Sequence, residues 1–323
     1  MKFGVLLNIN HIPRSDTSVA WKALRTLVTR IENGGWASVW LSDHLGPAWP
    51  ETAPETHTTL EAWSVLAALA ASTSRVRLGT LVSNNVLRHP GVLAEMAATV
   101  DLIAGGRVTV GLGAGWHEDE ARSHGIPFPS TRERFDRLDE ACRLLRLLFD
   151  SRTPASFRGT YYELSEGRLG VRPVQTHLPL LVGGAGERRT LPILAQHGDI
   201  MNFTVPGMVK GPEQVADKIA VLASCCEAID RDHTEIARTI TTWVRVIEDP
   251  EEAEVERGRL MPEVSSDLRR HVLPVGSRRE VIEALHRYAA AGVDEVIVFG
   301  MAPYFHTADD LERLSVEILP EWQ

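Results

Sequence analysis

Two places in the chain combine residue types that can do chemistry. Asp43 and His44 stand just after the apolar stretch Ala37–Leu41. An imidazole with an unperturbed pKa of about 6.5 both takes and gives a proton near neutrality, which makes His44 the candidate acid or base. The same pair equally suits a hydrogen-bonded fixture that holds a loop. The second place is Pro179–Thr190, where the apolar run Leu180–Val182 gives way to Gly183, Gly184, Ala185 and Gly186 and then to a helix-like segment reaching about Gln196. Glycines let backbone N–H groups close on a ligand, and a helix N-terminus adds partial positive charge, a combination suited to phosphate. Arg188 and Arg189 add full charges. A tight connection alone would use the same glycines.

Other chemistries find less support. The 12 histidines and 43 acidic residues include no HxH or HExxH spacing, so no metal site is expected and a barrel metallohydrolase ranks low. A formal charge of −9 argues against nucleic acid and anionic membranes as partners and leaves small molecules. Cys142, Cys225 and Cys226 form neither a disulfide framework nor a CxxC pair, which fits a reducing cytoplasm. No apolar stretch approaches the roughly 20 residues that span a bilayer, so the expectation is a soluble protein.

The elements that must position these groups alternate along the 323 residues. Strands are expected at Phe3–Asn8, Ala37–Leu41, Val76–Val82, Val108–Leu112, Leu180–Val182, Asp199–Phe203, Ile240–Ile247 and Glu295–Phe299. Helical periodicity separates them, at Val19–Asn33, Thr59–Ala71, Pro90–Leu102, around Phe135–Leu148, and in Pro212–Ile229, Pro250–Val264 and Arg278–Ala291. Asp150–His177 interrupts the pattern and reads as an insertion containing a small hairpin. Eight strand–helix units predict an α/β protein, a (β/α)8 TIM barrel in one domain over residues 1–323. A doubly wound sheet would instead carry its glycine turn, as GxGxxG, after the first strand.

In a barrel the strand ends converge on one mouth. Seven of the eight ends carry small or polar groups: Asn8, Asn10 and His11; Asp43 and His44; Ser83, Asn84 and Asn85; Gly113, Gly115, Trp116 and His117; Gly183–Gly186; Asn202 and Thr204; Gly300 and Met301.

These residues resemble a known family. Ser42-Asp43-His44, Leu78-Gly79-Thr80, Arg88-His89-Pro90, Gly105-Gly106-Arg107, the run from Gly111 to Trp116, Gly125 to Phe128, Arg132 to Phe135, and Gly183-Gly184 look like the luciferase-like monooxygenase superfamily, over nearly the whole chain. The stretches after Gly113 and Gly183 look most like the branch that uses coenzyme F420, a deazaflavin. The resemblance implies a hydride-transferring oxidoreductase with His44 as the proton-transfer residue. Asp43, Leu81, Val82, Asn84, Trp116, Asp119, Gly183, Gly184, Ala185 and Arg188 would surround the cofactor, with a non-proline cis peptide at Leu81–Val82 under its ring. An FMN-dependent monooxygenase is the alternative, and a non-catalytic flavin-binding protein ranks lower. Relatives that act on a sugar phosphate carry an acidic residue where this chain has Trp116. Glu118, Asp119 and Glu120 come later, so no general base transfers to one position. Relatives are often dimers, which implies a homodimer here.

Overall fold

The computed structural model describes residues 1–9, 12, 13, 17–46, 57–300 and 308–322. Its centre is a closed ring of eight parallel strands: β1 (Lys2–Leu7), β2 (Ser38–Leu41), β3 (Arg77–Thr80), β4 (Val108–Gly113), β5 (Leu180–Gly183), β6 (Ile200–Thr204), β7 (Ala237–Thr242) and β8 (Glu295–Gly300). Each pairs with its successor, and β8 closes on β1 from Lys2↔Glu295 to Leu7↔Gly300. The expected (β/α)8 TIM barrel is the observed fold.

Strands covered on both faces read as unbroken apolar runs. Along β1, Val5 and Leu7 join the layer under the helices, whereas Leu6 joins Trp40, Leu181, Ile200 and Ile297 in a separate cluster. That period of two assigns the smaller cluster to the barrel interior. The helices are α1 (Thr17–Asn33), α2 (Ala62–Ser72), α3 (Pro90–Ala104), α4 (Glu118–Ser123), α5 (Thr131–Asp150), α6 (Thr190–His197), α7 (Pro212–Glu227), α8 (Pro250–Leu260), α9 (Ser266–Val272), α10 (Arg278–Ala290) and α11 (Ala308–Glu317).

Several boundaries differ from the sequence expectation. β7 begins at Ala237 rather than Ile240 and stops at Thr242. Its early half is polar, with Arg238 paired to Asp294 and Thr239 Oγ1 donating to Met201 O, bonds that an apolar reading does not register. Arg245–Val246 instead forms a separate short parallel ladder with Val275–Gly276. β3 stops at Thr80, and the Leu81–Val82 bond that follows is cis, as the resemblance implied. The segment expected to be loop up to Pro129 contains α4, and α9 was not anticipated because its polar sequence lacks apolar spacing.

The insertion contains the expected hairpin, Ala155–Arg158 against Glu163–Gly167. Buried Glu140 on α5 holds it, accepting the N–H groups of Thr160 at 2.6 Å, Tyr161 at 2.9 Å and Tyr162 at 3.2 Å. Asp101 on α3 fixes the insertion's far end, accepting from Val174 N at 2.8 Å and Gln175 Nε2 at 2.8 Å. Among the described residues no helix is long and apolar enough to cross a membrane.

Candidate active site

The C-terminal ends of the strands enclose a cavity of about 460 Å³, and among the described residues that line it none is charged. Leu81 and Val82 form one wall, Ala114, Trp116 and Phe135 another, and Gly183, Gly184, Ala185, Gly186 and Thr190 a third; Asn202, Thr204 and Thr241 also line it. Asn202 is held in place, donating through Nδ2 to Thr239 Oγ1 at 2.9 Å and accepting from Thr241 Oγ1 at 3.2 Å.

Two of the glycines in this wall exist for Val82. A Cβ on Gly113 would lie 2.6 Å from Val82 Cγ2, and one on Gly183 would lie 2.9 Å from Val82 Cγ1. Neighbouring strands must therefore lack side chains for Val82 to sit where the cis bond delivers it. Gly184, at φ +125°, then turns the chain away from β5. Its N–H donates to Asn202 O at 3.2 Å, and the N–H groups of Ala185 and Gly186 have no backbone partner among the described residues. Both residues line the cavity, and N–H groups without a backbone partner beside a cavity suit a phosphate. α6 starts only at Thr190, so Glu187–Arg189 separates the glycines from the helix N-terminus expected to act with them.

On the opposite side Asp43 is 2% exposed and receives Arg88 in a fork, Nη1 to Oδ2 at 2.5 Å and Nη2 to Oδ1 at 3.0 Å. Arg88 Nη2 also donates to Glu61 Oε1 at 2.5 Å. Burial works against the guanidinium charge, but the two carboxylates outweigh it and raise the Arg88 pKa. Asp43 thus serves as a buried anchor for the segment that carries His44.

His44 Nδ1 lies 3.0 Å from Glu120 Oε1. That oxygen also accepts the N–H of Leu45 at 2.7 Å and, more weakly, of Gly46 at 3.4 Å. Burial favours the neutral Glu120 carboxyl, but the His44 hydrogen bond and charge and these two N–H groups outweigh it and hold the pKa below its ordinary 4.5. Trp116, 58% exposed, meets the His44 ring edge to face at 5.9 Å and stacks on His117 at 4.9 Å.

Of the residues expected around a cofactor, Leu81, Val82, Trp116, Gly183, Gly184 and Ala185 line the cavity. Asp119 is exposed on α4. Arg188 lines a second cavity behind the glycine turn. The Asn84 side-chain oxygen accepts the Val86 N–H at 3.0 Å, a loop-capping bond. Asn10, His11 and Met301 lie outside the described residues. Glu120 was missed as a partner of His44. The signal was available in the helical spacing of α4, which buries Glu120 together with Ala121 and leaves Glu118 and Asp119 exposed. Among the described residues no group of three or more His, Cys, Asp or Glu is placed to hold a metal ion.

A parallel barrel with a glycine-walled cavity at its C-terminal mouth and an imidazole–carboxylate pair near it is a TIM-barrel protein with a candidate ligand site where the strand ends converge. Comparison makes this specific. The sequence pattern described as luciferase-like monooxygenase matches residues 1–271, and the chain belongs to that family. It is 32% identical over 321 residues to an F420-dependent glucose-6-phosphate dehydrogenase of Beutenbergia cavernae, covering 90% of each chain. It is 36% identical over 232 residues to one of the same name from Kineococcus radiotolerans, covering 71% of this chain and 66% of the other. An F420-dependent secondary alcohol dehydrogenase in complex with an F420-acetone adduct shares the fold, with a TM-score of 0.81 at 21% identity and 98% coverage of both chains.

Proposed function

We propose that this protein is an oxidoreductase that transfers a hydride between coenzyme F420 and a small organic substrate. The observation that carries the reading is His44, backed by buried Glu120 and packed against Trp116, which lines the same cavity as the Gly183–Gly186 turn. The names of the relatives at 32% and 36% identity support the choice of cofactor.

The deazaflavin, when bound, supplies the centre that accepts or gives the hydride. The N–H groups of Ala185 and Gly186 would hold its phosphate, and the apolar wall around Val82 would exclude water from its ring. Glu120 Oε1 takes the Nδ1–H of His44 and orients the ring, so Nε2 is the atom that takes a proton from a substrate oxygen or returns one to it. The Arg88–Asp43–Glu61 cluster fixes the backbone immediately before His44.

The reading includes a cytoplasmic setting, supported by three free cysteines, and a homodimer, which sedimentation would test. Titrating the purified apoprotein with F420 and with FMN tests the central claim. F420 should bind and FMN should bind weakly or not at all; tight FMN binding with none of F420 would overturn it.

A further inference from the structure

A second cavity, of about 430 Å³, lies behind the glycine turn, between α5, the hairpin and α6. It shares Phe135 of α5 with the first cavity, and Arg188, two residues beyond Gly186 of the turn, lines it. Its lining holds three arginines, Arg143, Arg188 and Arg189, and three carboxylates, Asp136, Asp139 and Glu140. The carboxylates are already engaged. Asp136 pairs with Arg189, Asp139 Oδ1 with His197 Nε2 at 3.0 Å, and both Glu140 oxygens with hairpin N–H groups. Arg143 and Arg188 make no hydrogen bond or ion pair among the described residues; Arg143 lies over the Phe157 ring at 5.4 Å, and the Asp139 carboxyl is held below its ordinary range by its His197 hydrogen bond with help from the Arg143 charge. Two guanidinium groups without a hydrogen-bond partner therefore line a cavity that adjoins the glycine-walled one at Phe135.

We infer that this second cavity is a subsite for the anionic tail of the cofactor, the glutamyl carboxylates that continue beyond the phosphate of F420. The inference rests on the F420 reading and deepens it. Guanidinium groups recognise carboxylates through charge-assisted hydrogen bonds. FMN ends at its phosphate and would leave Arg143 and Arg188 without a partner. The subsite would then select a tailed deazaflavin over FMN through contacts remote from the ring.

Fluorescence titration of the purified protein with glutamylated F420 and with the same deazaflavin truncated at the phosphate tests this. The tailed form should bind about tenfold more tightly, and salt should weaken its binding more steeply. The double substitution R143Q/R188Q should erase that advantage and leave the truncated form unaffected, whereas R25Q, on the exposed face of α1, should change neither. Equal affinity for the two forms in the unaltered protein, or an equal loss for both in R143Q/R188Q, would overturn the subsite and leave the cofactor reading standing. Binding of neither form would overturn the cofactor reading itself, and the subsite with it.

Discussion

His44 and Glu120, 76 residues apart in sequence, meet through Nδ1 and Oε1 at 3.0 Å. Because the same oxygen takes the Leu45 N–H at 2.7 Å, one buried carboxylate fixes both the ring and the backbone beneath it. Glu120 therefore acts as a positioning residue for His44. Replacing Glu120 with Ala should lower kcat by about 10²-fold through misorientation, with cofactor affinity retained. Nitrogen-15 spectra of the His44 ring should show loss of the single Nδ1–H tautomer. An unchanged spectrum would reduce Glu120 to a loop fixture.

Removing the imidazole is the harsher test. Replacing His44 with Ala should cost about 10²–10⁴-fold in turnover, the range for a positioned acid or base, while deazaflavin binding persists. Turnover equal to that of the unaltered protein would leave His44 without its proton-transfer role.

The glycines opposite Val82 make a stability prediction that needs no substrate. A methyl group on Gly113 meets Val82 Cγ2 at 2.6 Å, so Gly113→Ala should destabilise by about 1–3 kcal/mol through overpacking. Val82→Ala removes the obstacle, so the double variant should lose less than the sum of the two singles in denaturant unfolding. Additive losses would show that Val82 is not what excludes a side chain there.

The barrel was legible because most of its strands, covered on both faces, contain apolar runs such as Val5–Leu7 and Val296–Phe299. The start of β7 was hidden because Arg238 and Thr239 are polar residues whose side chains bond Asp294 and the backbone of β6. In the site, His44 and the glycine runs showed through residue type alone. Glu120 did not, because it is one of three consecutive acids, and only the rotation of about 100° per residue on α4 separates it from exposed Asp119. Arg188 was assigned to phosphate by proximity in sequence. The later start of α6 leaves it on the intervening turn, lining the second cavity.

The Asp43–Arg88 pair predicts an asymmetric response. Arg88→Met would leave Asp43, 2% exposed, as an uncompensated buried charge, at a cost of about 3–5 kcal/mol. Adding Asp43→Asn removes that charge and should recover part of the loss. Thermal unfolding of both variants checks this; a double variant no more stable than Arg88→Met would place the loss in the Glu61 contact instead.

Acid should weaken the His44–Glu120 link in a defined direction. Glu120 is held below its ordinary 4.5 in the folded chain, so its folded-state pKa is depressed relative to the unfolded chain. The resulting stabilisation is complete above the unfolded value and drains away as pH falls through the folded one. Glu120→Gln keeps the shape but cannot ionise. It should be less stable than the unaltered protein at neutral pH by about 1–2 kcal/mol, the scale of a hydrogen bond to a charged group. Guanidinium unfolding at about pH 7, 5 and 3 should show that gap open at the first two and closing at the third, because only the last lies below the unfolded pKa of the Glu120 carboxyl. A gap that stays open in acid would mean that the charge on Glu120 is not coupled to folding, and that its contribution comes from shape and neutral hydrogen bonding alone.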